Sequence, residues 1–259
     1  MNPYENFKRE CMEEIVDSAR DTAMTDLSRQ WMARANAHRY SYHFDWLGRP
    51  IIQYPQDILA MQELVWTIKP DLIIETGIAH GGSLIFSASM LALLDMCDAI
   101  EAGRTMDPRE PSRMVIGLDI DIREHNRAAI EAHPMACRIR MIQGSSVSPS
   151  AVAEVRETAS RFRKVLVCLD SNHTHEHVLA ELEAFAPLVT PGSYCVVFDT
   201  IIEDLPEDSF PDRPWGRGSN PKTAVMAYLE RHPEFSIDKS IDQKLMISVA
   251  PDGYLKRSA

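Results

Sequence analysis

Asp71-Leu72-Ile73-Ile74-Glu75-Thr76-Gly77-Ile78-Ala79-His80-Gly81-Gly82-Ser83 joins an apolar run to an acid, a glycine-bearing turn and the start of an apolar helix. An α/β protein opens a nucleotide-type cofactor site in this way, at the carboxyl edge of its sheet. Glu75 closes the run just before the turn, where a dinucleotide sets its pyrophosphate against backbone N–H groups. A carboxylate there repels phosphate. It suits a ligand with cationic groups and no phosphate, and S-adenosylmethionine is such a ligand. Gly77, Ala79 and Gly82 also satisfy a loose G-x-A-x-x-G dinucleotide pattern, so the glycines alone do not decide. An ordinary strand-to-helix turn with a surface acid is the plain alternative.

Apolar runs recur along the chain at Met114–Asp119, Arg138–Ile142, Val165–Asp170, Tyr194–Asp199 and Lys244–Val249, with helical segments between them. The first four are rich in Val and Ile, as parallel strands covered on both faces require. Strands alternating with helices predict a doubly wound, mostly parallel α/β sheet of about seven strands. Residues 4–38 read as helical. From Tyr40 to Asp57 the texture turns aromatic and proline-punctuated, which predicts a packed arm over the catalytic face or against a partner subunit. Asp57 starts a helix over Ile58–Lys69. The expected division is an N-terminal helical and aromatic arm, 1–57, and a cofactor-binding domain, 58–259. Leu205–Asn220, dense in Pro, Asp and Gly, reads as a long loop, and Asn220-Pro221 as an N-cap followed by proline at the first helical position.

A formal charge of −11 argues against binding to nucleic acid or to an anionic membrane. No run approaches the roughly 20 apolar residues that span a bilayer, and residues 1–10 lack an apolar signal core. Cys11, Cys97, Cys137, Cys168 and Cys195 are widely spaced and form no C-x-x-C pair, so they read as reduced thiols rather than a zinc site. A cytoplasmic address is expected.

Four runs end in a carboxylate: Glu75, Asp119, Asp170 and Asp199. Ligands of open α/β sheets bind beyond those strand ends. Asp119 is placed to accept the ribose hydroxyls of an adenosine, with Asp121 as competitor, and Gly144-Ser145-Ser146 to read an adenine. If their strands are neighbours, Asp170 and Asp199 lie about 4.8 Å apart across the ladder. Carboxylates that close repel unless a cation bridges them, and Mg²⁺ suits such an oxygen site; helix capping by each acid is the structural alternative. Beside Asp170 stands Ser171-Asn172-His173-Thr174-His175-Glu176-His177. His173 is expected to open the following helix, sharing a face with His177, and its neutral imidazole to take a proton from a substrate hydroxyl.

With these residues in view the chain resembles the cephalosporin hydroxylase/rhamnosyl O-methyltransferase family. The resemblance runs from about Tyr40 to the carboxyl terminus. It is carried by Trp46-Leu-Gly-Arg-Pro-Ile-Ile-Gln-Tyr-Pro, Glu75-Thr-Gly-Ile-Ala-His-Gly-Gly-Ser, Leu169-Asp-Ser-Asn-His-Thr-His-Glu-His-Val, Arg213-Pro-Trp-Gly and Asn220-Pro-Lys-Thr-Ala-Val. It implies a class I methyltransferase fold, S-adenosylmethionine, a divalent metal (usually Mg²⁺) and homo-oligomers. It also implies metal ligands at Asp170 and Asp199, a base at His173, and a cofactor site that includes Glu75, Thr76, Gly77, His80, Gly81, Ser83, Asp119, Gly144, Ser145, Ser146 and Asp170. The family's middle acid is Phe198 here, and Glu203 or Asp204 is the candidate replacement. The expected reaction is methyl transfer to a hydroxyl of a sugar or secondary metabolite. Hydroxylation and a cofactor-binding protein without catalysis are the rival readings. Trp46, Trp215, Arg213 and Arg217 are candidates for gripping the hydroxylated acceptor.

Overall fold

A computed structural model describes residues 2–259. Two helices open the chain, α1 (Pro3–Arg20) and α2 (Thr22–Ala37), separated where Asp21 leaves helical geometry and caps α2 through Met24 N. A short hairpin, β1 (Phe44–Trp46) and β2 (Arg49–Ile51), leads into α3 (Pro55–Ile68). Then come β3 (Leu72–Thr76), α4 (Gly82–Glu101), β4 (Met114–Asp119), α5 (Glu124–Glu131), β5 (Ile139–Gln143) and α6 (Pro149–Ala159). The second half follows with β6 (Val165–Leu169), α7 (His175–Phe185), β7 (Tyr194–Val197), α8 (Pro221–Leu229), β8 (Phe235–Ile237), α9 (Lys239–Leu245) and β9 (Tyr254–Arg257).

The seven-stranded sheet runs β5-β4-β3-β6-β7-β9-β8, with β5 through β7 parallel and β9 antiparallel to both of its neighbours, β7 and β8. Its faces cover separate cores, because alternate strand residues point to opposite sides. Leu72, Ile74, Val165, Val167, Cys195 and Val197 face α6, α7 and α8. Ile73, Leu166, Cys168, Tyr194 and Val196 face α3, α4 and the arm.

The apolar stretch Lys244–Val249 is not a strand. Met246, at φ +60°, ends α9, and the buried carboxylate of Asp57 claims the backbone N–H of Val249 at 2.9 Å. Asp57 also accepts from Ser248 Oγ (2.6 Å) and Tyr254 Oη (2.9 Å), and burial raises it to about 6. The antiparallel partner of β7 is therefore β9, further along the chain. Asp57 lies within the first turn of α3, which begins at Pro55 rather than Ile58.

Helix α4 is long and apolar. By length and composition its 20 residues suffice to cross a membrane. Yet its Asp95 is buried against Arg113 and Arg138, and Leu84, Ile85, Ala88 and Leu91 are fully enclosed, which makes it the central helix of the fold. The cap at Asn220 forms as expected, its side chain accepting from the backbone N–H groups of Lys222 (2.9 Å) and Thr223 (3.3 Å).

Candidate active site

The chain leaves the sheet at β3 through a turn in which Gly77 (φ +88°), Ala79 (φ +45°) and Gly81 (φ +84°) hold left-handed backbone. Gly77 is required there: a Cβ would stand 2.0 Å from the carbonyl oxygen of Asp170. Gly82 opens α4 against the arm, with a Cβ position 2.2 Å from the Pro50 carbonyl. Asp119, at the end of neighbouring β4, braces the turn. One carboxylate oxygen accepts from Ile78 N (2.8 Å) and Ala79 N (3.3 Å), the other from Asp121 N (3.0 Å).

A cavity of about 500 Å³ lies over this turn. It gathers Gly77, His80 and Ser83 from the turn, Asp170 and His173 beyond β6, and Asp199 beyond β7. Other expected site residues lie outside its lining. Thr76 is fully buried beneath it, and both its backbone carbonyl and its hydroxyl accept from Asp170 N. Gly81 packs on Ile130. Gly144, Ser145 and Ser146 follow β5, where Gly144 N donates to the Asp119 carbonyl and Ser146 donates to the buried Glu181.

The strand-end acids do meet. Strands β6 and β7 are neighbours, with Leu169 opposite Val197. Asp199 takes φ +57°, a left-handed conformation that an aspartate tolerates better than most residues. One ligand atom each from Asp170, His173 and Asp199 falls within 4.8 Å of the others, and His173 Nε2 stands 3.3 Å from Asp199 Oδ2. Burial, then the charge of Asp199, then that of Glu75 hold the Asp170 carboxyl far above the usual range, although Gln53 Nε2 donates to it at 3.0 Å. A bound cation would remove that repulsion, and the two carboxylates offer the oxygen donors a divalent ion takes, with the His173 imidazole beside them. The set is the inverse of the two-histidine, one-carboxylate arrangement of iron oxygenases.

His173 does not lie on a helix. Asn172 Oδ1 accepts from both Thr174 N and Thr174 Oγ1 (2.9 Å each), so α7 begins only at His175. The imidazole of His173 meets the edge of Trp215, with ring centroids 4.8 Å apart. His177 turns instead toward Ser146 (3.1 Å), and His175 toward Thr223 (2.8 Å).

Phe198 has a physical reason. It shares a small buried space with Asp57, Glu75 and Asp170, so a glutamate there would add a fourth carboxyl to three. Glu203 and Asp204 do not replace it. Glu203 accepts from Gly218 N (2.8 Å) and Asn220 Nδ2 (2.5 Å), Asp204 pairs with Lys222, and together they clamp the Leu205–Asn220 loop.

Glu75 is enclosed in the sheet, where burial raises it to about 7 against a hydrogen bond from Ser83. Its proton is thus retained in the folded chain up to about pH 7 but lost near 4.5 on unfolding. Stability falls as pH rises across that interval, by about 3 kcal/mol for this group. Glu75→Gln is expected to be more stable than the parent above pH 7 and to lose that advantage as the pH falls toward 4.5. Thermal melts on both sides of the transition test this, and equal melting differences at both pH values would contradict it.

The arm resolves toward the catalytic face. Asn36, Arg39, Tyr42, Pro50 and Gln53 all line the cavity. Arg213 and Trp215 line it too, whereas Trp46 is tied to Ser89 (3.0 Å) and packed on Phe86, and Arg217 lies outside. Sequence reasoning missed Arg39, Tyr42 and Gln53; Tyr42 and Gln53 had membership of the aromatic arm as their signal, and Arg39, just before it, had none.

The profile of the family described as Rhamnosyl O-methyltransferase/CmcI matches residues 38–258. A rhamnosyl O-methyltransferase of Mycobacterium leprae is 28% identical over 215 residues, covering 82% of this chain and 82% of its own length. One from Mycobacterium tuberculosis (strain H37Rv) is 27% identical, covering 78% of this chain and 73% of its own. Two solved structures of CmcI, one described with Mg and SAM and the other with SAH, share the fold at 19% identity with TM-scores of 0.53 and 0.54. They cover 84% and 83% of this chain and 78% and 83% of theirs. The chain belongs to the Rhamnosyl O-methyltransferase/CmcI family.

Proposed function

We propose that this chain transfers the methyl group of S-adenosylmethionine to a hydroxyl of a sugar or sugar-bearing small molecule, assisted by Mg²⁺. The observation that carries the reading is the convergence of Asp170, His173 and Asp199 on one cavity beside the β3 turn. In this reading Gly77, His80 and Ser83 line the amino-acid end of the cofactor, with Glu75, Thr76 and Gly81 supporting the turn from beneath, and Asp119 would meet the ribose and Gly144, Ser145 and Ser146 the adenine. The cofactor would supply an electrophilic methyl group, and a cation, which Asp170 and Asp199 would hold, would supply Lewis acidity to the acceptor oxygen.

His173 carries the proton transfer. With Nε2 directed at Asp199, Nδ1 is free to accept the hydroxyl proton, and the neighbouring carboxylate stabilises the imidazolium that results. The bound cofactor would supply the methyl carbon, with the departing electron pair left on its sulfur, and His173 would hold the proton that the acceptor hydroxyl gives up. Trp215 and the arm enclose the acceptor and restrict it to attack geometry. Incubation with methyl-labelled cofactor and rhamnosides, with Mg²⁺ and after chelation, tests the reading. Label should enter the sugar in a chelator-sensitive way; oxygen uptake without label transfer would oppose it.

The arm supports self-association as well. Helix α1 buries none of its residues, and Tyr4, Phe7, Met12 and Val16 stand exposed along it. Phe7→Glu with Val16→Glu is expected to reduce the mass measured by light scattering to that of one chain; an unchanged mass would remove α1 from the interface. Five free thiols support the cytoplasmic address.

A further inference from the structure

The cavity has a charge asymmetry that the transfer chemistry does not use. Its floor is acidic, with Asp170 and Asp199, while Arg39 and Arg213 stand exposed on its lining from opposite ends of the chain. Each guanidinium lies over an aromatic ring: Arg39 at 4.1 Å from the Tyr42 centroid and Arg213 at 5.2 Å from that of Trp215. Among the described residues neither pairs with a carboxylate, in a chain whose net charge is −11. Arg49 nearby shows the contrast, since its guanidinium is consumed by the His80 carbonyl (3.0 and 2.6 Å) and Asn126 Oδ1 (3.0 Å).

A stacked guanidinium keeps its in-plane N–H donors free, in the fork that fits phosphate or carboxylate. Both supports are fixed. Arg39, at φ +53°, lies just past the cap of α2 and opens the short turn Tyr40–His43 that leads into the hairpin. Arg213 sits in the loop clamped by Glu203 and Asp204, and its ring partner Trp215 also touches His173. The cationic group and the base therefore share one indole.

We propose that the acceptor carries an anionic oxygen group, phosphate or carboxylate, which Arg39 and Arg213 hold at the rim while its hydroxyl faces His173. The proposal rests on the methyl-transfer reading above. Holding the anionic group at the rim would leave the hydroxyl end of the acceptor to reach the floor, so the arginines would set orientation as well as affinity.

The test is calorimetry with three probes: thymidine-diphosphate rhamnose, galacturonate and the neutral methyl rhamnoside. Each is titrated with Mg²⁺ present, with and without S-adenosylhomocysteine. At least one charged probe should bind about tenfold more tightly than methyl rhamnoside, and whichever does identifies phosphate or carboxylate. Arg39→Gln and Arg213→Gln, both at exposed positions, should each erase most of that preference and leave the affinities for methyl rhamnoside and S-adenosylhomocysteine unchanged. Equal or absent binding of the charged probes overturns the proposal. So does loss of S-adenosylhomocysteine affinity in either variant, which would give the arginines to the carboxylate of the cofactor. If the unsubstituted protein fails to bind S-adenosylhomocysteine, it is the methyl-transfer reading that falls, while the charge preference is still read in the titrations without it.

Discussion

Replacing His173 by alanine is expected to lower methyl transfer by about a thousandfold while leaving the affinities for S-adenosylmethionine and Mg²⁺ within about twofold. The magnitude follows from losing a positioned base. An unassisted sugar hydroxyl is a poor nucleophile at neutral pH, and among the described residues His173 is the histidine within ion-pair distance of Asp199, while His175 is held by Thr223 and His177 lies among Ser146, Ser171 and Glu181. The side chain is partly exposed at the cavity, so its removal leaves no sealed void, and melting should change little. The geometry makes this variant decisive in a second way. Because Phe198 replaces the family's middle acid, the third donor atom near Asp170 and Asp199 belongs to His173. If metal affinity collapses together with turnover, His173 is a ligand and the base lies elsewhere.

Asp170→Asn is expected to abolish metal-dependent transfer, by more than about a thousandfold, and at the same time to raise the melting temperature of the metal-free protein by several degrees. The two effects share one cause. In the folded chain the carboxyl titrates far above its unfolded value because it is desolvated beside Asp199, Glu75 and Glu181. An acid whose pKa rises on folding is worth least to stability when ionised, that is, at pH values above the folded pKa. Asparagine keeps the shape and a hydrogen-bonding partner for Gln53 but removes the charge. Added Mg²⁺ should stabilise the parent and not the variant. A variant that is less stable than the metal-free parent would show that Asp170 is a structural cap and not a strained ligand.

Much of this arrangement is legible along the chain because its determinants are local. Apolar runs rich in Val and Ile identify β3, β4, β6 and β7, and the acids at their ends fall together because parallel strands bring every carboxyl end to one edge. Asn220-Pro221 marks α8 for an equally local reason. The failures come from contacts between distant residues. Lys244–Val249 has the composition of a strand, but Asp57, far upstream, takes the Val249 amide and leaves β9 to complete the sheet. His173 stays off α7 because an asparagine turn delays the helix, a choice that helical spacing does not display. Phe198 reads as a missing ligand until Asp57 and Glu75 are seen beside it. Arg39 carries no signal of its own, since only the folded arm brings it over strands that begin more than thirty residues later.

The most direct test is calorimetric titration with S-adenosylmethionine and, separately, with NAD, each with Mg²⁺ and after chelation. The account predicts micromolar S-adenosylmethionine binding, about tenfold weaker in Glu75→Ala, no heat from NAD, and a separate Mg²⁺ heat that Asp170→Asn removes. NAD binding with no response to S-adenosylmethionine would contradict it, because Glu75 would then fail to select against phosphate at the β3 turn.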